Sequence, residues 1–466
     1  MRRSSFSVFL FIIIALFFLV PDALSEEARL VDLGPVHPIL TPSEFRLFVE
    51  DVSDATYRVW HSQSPPKVIV DVGARPLAPK EIAIRDPAVE RVRIAEGPLG
   101  ARIVIDLGYA LPRPIVEKEA NGLLVVVPKL FQIVEEITIA RGIVYGSVRA
   151  GEVHGPLSVK YLKVDPTRPG VSVRPMLSGD AFGRASLRDV VARSGAIAGL
   201  NGGFFHWSGR PLGLLIRDGE LVSESIYDRT AFGIDGNGLP FIERLGTRLW
   251  IETPYGNLIV DGINRPRSSG EIVVYTADFG RLPQGAGDWL LIEDGRVSTR
   301  RAQEAPAEGF AINFDLGDPR LERLRPGDRL AFRYAVEPVV PGGVQFAIGG
   351  GPQIVRDGKV AITGVEERFQ ADVLIGRAPR SALGVTRDGQ LLLVVVDGRS
   401  NGRSVGATLG ELAELMIRLG AESAMNLDGG GSSTLVLNGI VLNQPSGGEE
   451  RLIASAILVF LTDDAS

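Results

Sequence analysis

Apolar and polar positions between residues 29 and 130 follow the patterns of β-strands. The segments "KVIVDVGARPL" (Lys67–Leu77) and "RIVIDLGYALP" (Arg102–Pro112) share an apolar run, an aspartate, a glycine and a proline-bearing turn. "GLLVVVP" (Gly122–Pro128) adds another apolar strand, and "FRLFVED" and "YRVWHS" alternate with a period of two. We expect a small β-sandwich over residues 29–130, without a catalytic cluster.

The larger part of the chain, residues 135–466, contains two similar segments with helical spacing of apolar residues. They are "SLRDVVARSGAIAGLNGGFF" from Ser186 and "TLGELAELMIRLGAESAMNLDGGGSS" from Thr408. Each begins with a hydroxyl residue that is followed three positions later by an acid, which predicts a capping box. Each also has a glycine where a left-handed helix end is expected. These residues are Ser186, Asp189 and Gly195 in the first segment, and Thr408, Glu411 and Gly420 in the second.

Six residues beyond each helix-ending glycine, an asparagine leads a glycine cluster. These asparagines are Asn201 and Asn426, and a third glycine cluster lies in "IGGGPQIVRDGKVAI" (Ile348–Ile362) without a helix before it. Two-residue hairpin signals follow all three clusters, at 218–219, 357–358 and 438–439. We therefore predict an α+β fold with a mostly β framework, in which the two asparagine loops face a shared site.

The first 25 residues read as a secretion signal. Arg2 and Arg3 precede an apolar stretch from Phe6 to Val20, and Ala23–Ser25 provides a small-residue cleavage site. The stretch is shorter than the roughly 20 residues that a spanning helix needs, which favours a cleaved signal over a membrane anchor. Together with the absence of cysteine, this predicts an exported protein of a bacterial envelope, periplasmic or extracellular, without a stable transmembrane span.

Charge argues against a nucleic-acid partner. The net charge is −6, and basic residues are interspersed with acidic ones rather than grouped in a stripe.

Asp428 is the leading candidate for a catalytic residue. It stands in "NLDGGGSST" between Asn426 and a glycine triplet, which two serines follow. Ordering three glycines costs conformational entropy, but bare backbone offers close access to N–H groups. Aspartate before glycine is also a common turn residue. The matching loop at Asn201 favours a site that holds an anion or a sugar, and its members are Asn201, Gly202, Gly203, Asn426, Gly429, Gly430, Gly431, Ser432 and Ser433.

Further candidates stand near these loops or at strand ends. Asp397 ends the apolar strand of "LLLVVVDGRSNGRS" and either lines a site or forms an ordinary turn. His206 follows "NGGFF", and Gly350 and Gly351 belong to the third cluster. Arg380 and Arg451 each stand beside an apolar strand, where they either bind phosphate or pair with a surface acid.

Several other chemistries lack their residues. The glycine clusters have neither the Lys-Ser/Thr ending of a P-loop nor the spacing of a dinucleotide fingerprint. Histidine spacing gives no zinc site, and no Gly-x-Ser-x-Gly elbow occurs. We predict no cofactor, and a divalent cation held by Asp428 and backbone carbonyls stays open.

Two resemblances follow from these motifs. The pattern from Val68 to Gly108 resembles the AMIN domain of bacterial envelope proteins, which implies a module that holds the protein near peptidoglycan or another envelope polymer. The motifs "LNGGFF", "IGGGP", "PRSALG", "VVVDGR" and "NLDGGGSST" stand in the order seen in the phosphodiester glycosidase family.

The second resemblance implies cleavage between an anomeric carbon and a phosphodiester oxygen in a sugar-1-phosphodiester. Asp428 and Asp397 would be the catalytic residues, while the glycine loops, His206 and the two arginines would bind the substrate. The leaving phosphate monoester has a second pKa of about 6, so it needs less protonation than a sugar hydroxyl. The alternative is a non-catalytic protein that binds cell wall or polysaccharide.

Overall fold

The computed structural model describes residues 30–76, 78–283, 287–299 and 305–462. The predicted signal segment at 1–25 lies outside the described residues. Among the residues that are described, no helix is both long and apolar enough to cross a bilayer.

The N-terminal domain consists of two antiparallel sheets on one core. The first has the strand order Ile115–Glu119, Gly122–Pro128, Glu44–Glu50, Val36–Leu40. The second has the order Tyr57–Gln63, Pro66–Val72, Gly100–Leu107, Val89–Gly97, Lys80–Ala83, and a parallel pair joins Val31–Asp32 to Ala74–Arg75. Phe45 and Leu47 of the first sheet share a buried cluster with Val70 and Ile103 of the second. The two repeated sequence segments pair directly, with Asp71 opposite Arg102.

The main sheet of the larger, second part of the chain has eight strands. Its order is Phe131–Ala140, Ile143–Glu152, Gly155–Val164, Leu391–Val396, Arg380–Thr386, Ala421–Asn426, Gln353–Arg356, Lys359–Val360. The first strand of this sheet begins at Phe131, three residues after the last strand of the N-terminal domain ends at Pro128. The predicted domain start at residue 135 therefore falls inside this first strand. The two parts are joined by a very short connection.

Two five-stranded sheets complete the framework of the site. One has the order Val171–Leu177, Ser455–Leu461, Ala198–Asn201, Leu435–Leu437, Ile440–Val441. The other has the order Glu220–Ser223, Leu215–Arg217, Val344–Gly349, Thr230–Asp235, Pro240–Arg244. Leu393, Leu200 and Phe232, one from each of the three sheets, belong to a single buried core. The chain passes repeatedly from one of these three sheets to another. The ends of strands from different sheets therefore lie close together.

An inserted module lies between Arg244 and Val344. A three-stranded sheet (Gly256–Ile259, Gly246–Thr253, Ala331–Glu337) and a five-stranded one (Gly262–Ile263, Val273–Tyr275, Gly309–Phe314, Asp288–Glu293, Arg296–Thr299) share much of its core. Short helical turns occur at Ala277–Phe279, Pro319–Glu322, Ala371–Leu374 and Gly430–Ser432.

The two predicted helices are Leu187–Ser194 and Leu409–Arg418. Thr408 and Glu411 form the full reciprocal capping box, whereas the Asp189 carboxylate of the first helix accepts from the Ser186 hydroxyl instead of the Ser186 N–H. The first helix ends at Gly195 with φ of 74°. All three hairpin turns have positive φ at both central residues, as the sequence predicts. The fold is thus mostly β, and the α+β expectation is met only in that two helices pack on the sheets.

Candidate active site

The two asparagine loops meet, as their matching sequences predict. Asn201 ends the strand Ala198–Asn201, and its Nδ2 donates to the backbone oxygen of Asp428 at 2.7 Å. Its Oδ1 accepts from the Ser381 hydroxyl at 2.6 Å and from the Thr434 N–H at 3.1 Å. The Asp428 N–H donates in return to the Gly202 oxygen at 3.3 Å. Asn201 is fully buried, and its hydrogen bonds hold the backbone around Asp428 in place.

Asn426 joins the third glycine cluster to the same site. Its Nδ2 donates to the Gly351 oxygen at 3.0 Å and to the Leu427 oxygen at 2.7 Å. The Gly351 N–H donates to the Asn426 oxygen at 2.8 Å. The three glycine clusters therefore form one hydrogen-bonded unit at the strand ends.

A pocket of about 440 Å³ opens beside this unit, and we call it the active pocket. Among the predicted site residues, those that line it are Arg380, Asn426, Asp428, Gly429, Gly430, Gly431 and Arg451. Residues that the sequence reasoning missed complete its wall, chiefly Phe204, Arg229, Phe369, Asp372 and Arg399.

Burial dominates the electrostatics of Asp428. Loss of solvation raises the pKa of this carboxyl group to about 6, while the Ser432 hydroxyl, the Arg451 charge and the Gly429 N–H group lower it by less. The Ser432 hydroxyl lies close enough to lower the pKa of the Asp428 carboxyl group, although it makes no hydrogen bond of normal geometry. A carboxyl group with a pKa near 6 can gain and lose a proton near neutral pH, which suits acid–base catalysis.

Arg380 lies at the back of the active pocket in a cage of backbone oxygens. Its Nε donates to Ala407 at 3.0 Å, and its Nη2 donates to Val373 at 3.1 Å and to Gly376 at 2.5 Å. Burial lowers the pKa of the guanidinium to about 10, and the charge of Asp372 partly opposes that effect. The side chain is charged at neutral pH, and two of its three nitrogens hold the surrounding loops.

Arg451 and Arg399 approach the glycine triplet from the opposite side. A Cβ added to Gly431 would lie 2.5 Å from Nη2 of Arg451, and one added to Gly430 would lie 3.3 Å from Nη2 of Arg399. Arg451 makes no ion pair with any described residue. Glycine at 431 is therefore required so that this guanidinium can lie against the backbone.

An aromatic pair, Phe204 and Phe369, forms another part of the pocket wall, which we call the aromatic wall. The rings of Phe204 and Phe369 are 5.4 Å apart between centroids at 47°, and the Arg229 guanidinium lies 3.9 Å above the Phe369 ring. Arg229 Nε donates to the Glu367 oxygen at 3.0 Å, which fixes the guanidinium over the ring. The active pocket thus combines the half-buried Asp428 carboxyl group, four arginines and apolar side chains.

Asp397, a predicted catalytic residue, does not reach the active pocket. Its carboxylate accepts from the Ser158 hydroxyl at 3.0 Å and from the Gln444 N–H at 2.8 Å, and Arg403 Nε lies 3.6 Å away. The structure therefore gives Asp397 a framework role, because both its oxygens are occupied by groups that connect separate strands.

Other predicted residues also lie outside the pocket lining. His206 Nδ1 contacts the Ser208 hydroxyl at 2.9 Å within its own turn. The glycines Gly202, Gly203, Gly350 and Gly351 pack tightly, since a Cβ on Gly203 would lie 2.1 Å from the Gly349 oxygen. Ser432 and Ser433 are buried behind the triplet. Close packing against neighbouring backbone and side chains explains why Gly202, Gly203, Gly350 and Gly351 are glycines.

Two of the triplet's N–H groups are also used internally. The Gly430 N–H donates to the Pro379 oxygen at 2.8 Å, and the Gly429 N–H acts on the Asp428 carboxyl group. The sequence predicts that the glycine loops and the arginines bind the substrate together. Since the Gly430 N–H group is engaged within the protein, the arginines are the more available donors.

Polar atoms behind the triplet lack partners among the described residues: Asn426 Oδ1, Ser432 Oγ, Ser433 Oγ and Thr434 Oγ1. In the same described ranges, no cluster of three or more His, Asp or Glu side chains could hold a metal ion.

Comparison with known proteins agrees with the motif order. Residues 288–460 match the family model of the phosphodiester glycosidases. Over 67 residues the chain is 48% identical to N-acetylglucosamine-1-phosphodiester alpha-N-acetylglucosaminidase of Bos taurus, which is 14% of this chain and 12% of that protein. Over 86 residues it is 40% identical to an uncharacterized SPbeta prophage-derived protein of Bacillus subtilis (strain 168), covering 18% of this chain and 13% of that protein. The matches thus span about an eighth of these relatives.

A hypothetical protein from Synechocystis has the same fold over most of the chain. The two structures superpose with a TM-score of 0.64 at 23% identity, covering 92% of this chain and 80% of that one. At this identity the likeness concerns the fold alone.

The segment that matches the phosphodiester glycosidase model contains most, but not all, of the active pocket. Asp428, Arg380, Arg399 and Arg451 lie within residues 288–460, together with Phe369. Phe204, Arg229 and the supporting Asn201 lie before it, on chain that returns to the same strand ends. The sequence carried a signal for Arg399, which follows Asp397 in "VVVDGR", and for Phe204 in "NGGFF", but none for Arg229.

Proposed function

We propose that this protein hydrolyses the glycosidic bond of a sugar-1-phosphodiester and releases a sugar and a phosphate monoester. The observation that carries the proposal is Asp428, a carboxyl group with a raised pKa, at the mouth of a pocket that four arginines line. Arginine favours phosphate because its planar fork matches two phosphate oxygens at once.

Arg451 and Arg399 are the groups that would hold the phosphodiester. Both are exposed, neither is caged by backbone oxygens, and both lie against the glycine triplet next to Asp428. As the bond to the anomeric carbon breaks, negative charge grows on the leaving oxygen, and fixed guanidinium groups stabilise that charge. Arg380 adds a buried positive charge at the back of the active pocket.

The sugar would lie on the aromatic side of the active pocket. Phe204 is half-buried and presents apolar surface to the active pocket, whereas Phe369 is buried and has Arg229 stacked on one face of its ring. The apolar face of a sugar ring can pack on Phe204. In this proposal the anomeric carbon would lie beside Asp428, between the aromatic wall and the phosphate.

Asp428 acts on the anomeric carbon in its ionised form. As a base, it takes a proton from water while the water oxygen bonds to the anomeric carbon and the bond to the phosphate oxygen breaks. As a nucleophile, its own oxygen forms the first bond, and water displaces it in a second step. In either case the electron pair leaves with the phosphate monoester, which needs little protonation at neutral pH. One carboxylate can therefore serve where glycosidases commonly need two.

We also propose that the protein is exported and acts on a phosphodiester-containing polymer of the bacterial envelope or its surroundings. The secretion-signal pattern of residues 1–25 and the AMIN-like pattern from Val68 to Gly108 support this location. The N-terminal domain would bind peptidoglycan or a similar polymer. Co-sedimentation of the full chain with isolated peptidoglycan tests that role, and protein that stays in the supernatant would refute it.

A non-catalytic glycan-binding protein is the second candidate, because an aromatic wall with polar neighbours also suits binding alone. The two functions differ in what they need from Asp428. Purified protein is incubated with a UDP-sugar and with an aryl sugar-phosphodiester, and free sugar is measured. Release by wild type but not by Asp428→Asn supports hydrolysis, whereas binding without release by either supports the second candidate.

A further inference from the structure

A second cavity, of about 300 Å³, lies between the N-terminal domain and the eight-stranded sheet, and we call it the interdomain cavity. Tyr109 and Phe131 line it beside the N-terminal core, Ser158 and Lys160 line it from the sheet, and Arg403 lines it from the loop after Asp397. None of these residues takes part in the active pocket.

The sheet surface in this cavity is cationic where it would otherwise be apolar. Arg149 is paired across the strands with Ser158, and Lys160 follows two residues later on the same face. On the same face of the strand Gly155–Val164, Leu162 and Val164 belong to the main buried core. Neither Arg149 nor Lys160 forms an ion pair within the part of the chain that the structure describes. Arg149 is exposed and Lys160 is half-buried, so the end of this face carries two positive charges without an ion-pair partner among the described residues.

The hydroxyl group of Tyr109 points to the same conclusion independently. Tyr109 is 3% exposed, and its hydroxyl has no hydrogen-bond partner among the described residues. Burial, together with the charges of Asp86 and Glu152, raises the pKa of this phenol to about 12. It is therefore a neutral donor at physiological pH. An unpaired buried hydroxyl is costly, so its presence beside unpaired cations calls for a ligand that accepts hydrogen bonds.

The nearby acids do not neutralise the cavity. Asp86 forms an ion pair with Lys129 Nζ at 2.7 Å. The Asp397 carboxylate is occupied by Ser158 and the Gln444 N–H. Glu152 is exposed to solvent. Arg403 Nε lies 3.6 Å from the Asp397 carboxylate and forms an ion pair with it. Arg149 and Lys160 are therefore the cavity's cations without an ion-pair partner among the described residues.

One loop connects the two cavities. Arg399 lines the active pocket and Arg403 lines the interdomain cavity. These residues are four positions apart, so their Cα atoms lie within roughly 14 Å of each other. That separation is of the order of one or two sugar units along a polymer.

We propose that the interdomain cavity is a second oxyanion site, which binds the carboxylate or phosphate of a neighbouring repeat of the glycan whose phosphodiester occupies the active pocket. This inference rests on the proposed function for the identity of the glycan. The oxyanion would accept from Lys160, Arg149 and the Tyr109 hydroxyl, and its sugar would pack on Phe131.

Binding is the first test. The full chain with Arg399→Ala and Arg451→Ala, which weaken the active pocket, is titrated with glucuronate, glucose 6-phosphate and neutral glucose. We expect both anionic sugars, but not glucose, to bind. Adding Arg149→Gln and Lys160→Gln should weaken that binding at least tenfold, and adding Tyr109→Phe should weaken it several-fold. The control pair Lys118→Gln and Arg141→Gln removes the same charge at exposed positions and should change affinity less than twofold.

Unchanged affinity in the Arg149→Gln/Lys160→Gln protein would overturn the site, as would an equal loss in the control pair. Because Tyr109→Phe removes an unpaired buried hydroxyl, its melting temperature should not fall, and a fall would mark the hydroxyl as structural. These readings need no turnover, so they stand even if the proposed hydrolysis fails.

Kinetics then distinguishes a neighbouring repeat from a free anion. With otherwise wild-type residues, Arg149→Gln/Lys160→Gln should raise KM for an anionic oligosaccharide phosphodiester about tenfold and leave KM for a single aryl sugar-phosphodiester unchanged. Equal KM changes for both substrates would overturn the assignment to a neighbouring repeat. An unchanged KM for the longer substrate, despite lost binding of small anions, would also overturn it.

Discussion

Asn201 and Asp428 are joined by a hydrogen bond that spans 227 positions of the chain, from Asn201 Nδ2 to the Asp428 backbone oxygen at 2.7 Å. Asn201 also accepts from Ser381 and from the Thr434 N–H. One buried amide therefore connects the first glycine loop, the second glycine loop and the strand that carries Arg380. The position of Asp428 depends on this connection.

Replacing this amide should damage both stability and activity. Asn201→Ala leaves the Ser381 hydroxyl and the Thr434 N–H unsatisfied, which should lower the free energy of unfolding by about 3 kcal/mol. Turnover of an aryl sugar-phosphodiester should fall at least tenfold, because the Asp428 backbone loses its support. Asn257→Ala, at an exposed position, is the control and should change neither quantity appreciably. Denaturant unfolding and initial rates provide the measurements, and wild-type rates in Asn201→Ala would remove Asn201 from the positioning of Asp428.

Asp428→Asn should abolish turnover and increase stability at neutral pH. The folded pKa of about 6 lies above the ordinary value of 3.8, so the folded state binds more protons than the unfolded state between these values. Stability contributed by this group is therefore present at low pH and is lost as pH rises from about 4 to about 6. The loss amounts to up to about 3 kcal/mol. The variant should lack this pH dependence, which thermal unfolding between pH 4 and pH 8 measures. A variant that is less stable than wild type at pH 7 would identify Asp428 as a structural cap.

The same pKa predicts the pH profile of catalysis. Since Asp428 acts ionised as base or nucleophile, kcat/KM should rise with pH through an apparent pKa near 6. Substrate phosphodiesters do not titrate in this range. A profile that instead falls above pH 6 would assign Asp428 the role of a general acid.

Gly431→Ala should weaken substrate binding through Arg451. The new Cβ would lie 2.5 Å from Arg451 Nη2, so the guanidinium must move away from the phosphate position. We expect KM for a phosphodiester to rise about tenfold with little change in melting temperature. Gly447→Ala is the matched control, because nothing lies within 4 Å of its added Cβ. If Gly431→Ala and Gly447→Ala behave alike, Arg451 does not bind the phosphate.

The two predicted phosphate-binding arginines should respond differently to substitution. Arg380→Ala leaves the oxygens of Val373 and Gly376 without the Arg380 donor and removes one of the two donors to the Ala407 oxygen. It should therefore destabilise the fold by a few kcal/mol. Arg451→Ala breaks no ion pair and should raise KM without altering the melting temperature. Equal loss of stability in both variants would contradict the division between a caged and a free arginine.

The parts of the fold that follow local rules were predictable from the sequence. Ser186 and Thr408 cap helices through residues three positions away, and the turns at 218–219, 357–358 and 438–439 need only two adjacent residues that tolerate positive φ. The meeting of the two asparagine loops followed from their matching sequence, since equal units that end at strand edges can face each other.

Residues whose roles depend on distant partners were not predictable. Asp397 has the local pattern of a site residue, an acid at the end of a buried strand, but Ser158 from another strand takes its carboxylate. Arg229 and Phe369 stack on each other from segments that have no shared motif. In each case the deciding contact joins positions more than a hundred residues apart.

Isotope labelling distinguishes attack at the anomeric carbon from attack at phosphorus. Wild-type protein hydrolyses a sugar-1-phosphodiester in water enriched in oxygen-18, and the phosphate monoester product is analysed by mass spectrometry. Attack at the anomeric carbon leaves the bridging oxygen on the phosphate, so the account predicts a phosphate monoester without label. A labelled phosphate monoester would show attack at phosphorus and would contradict the account.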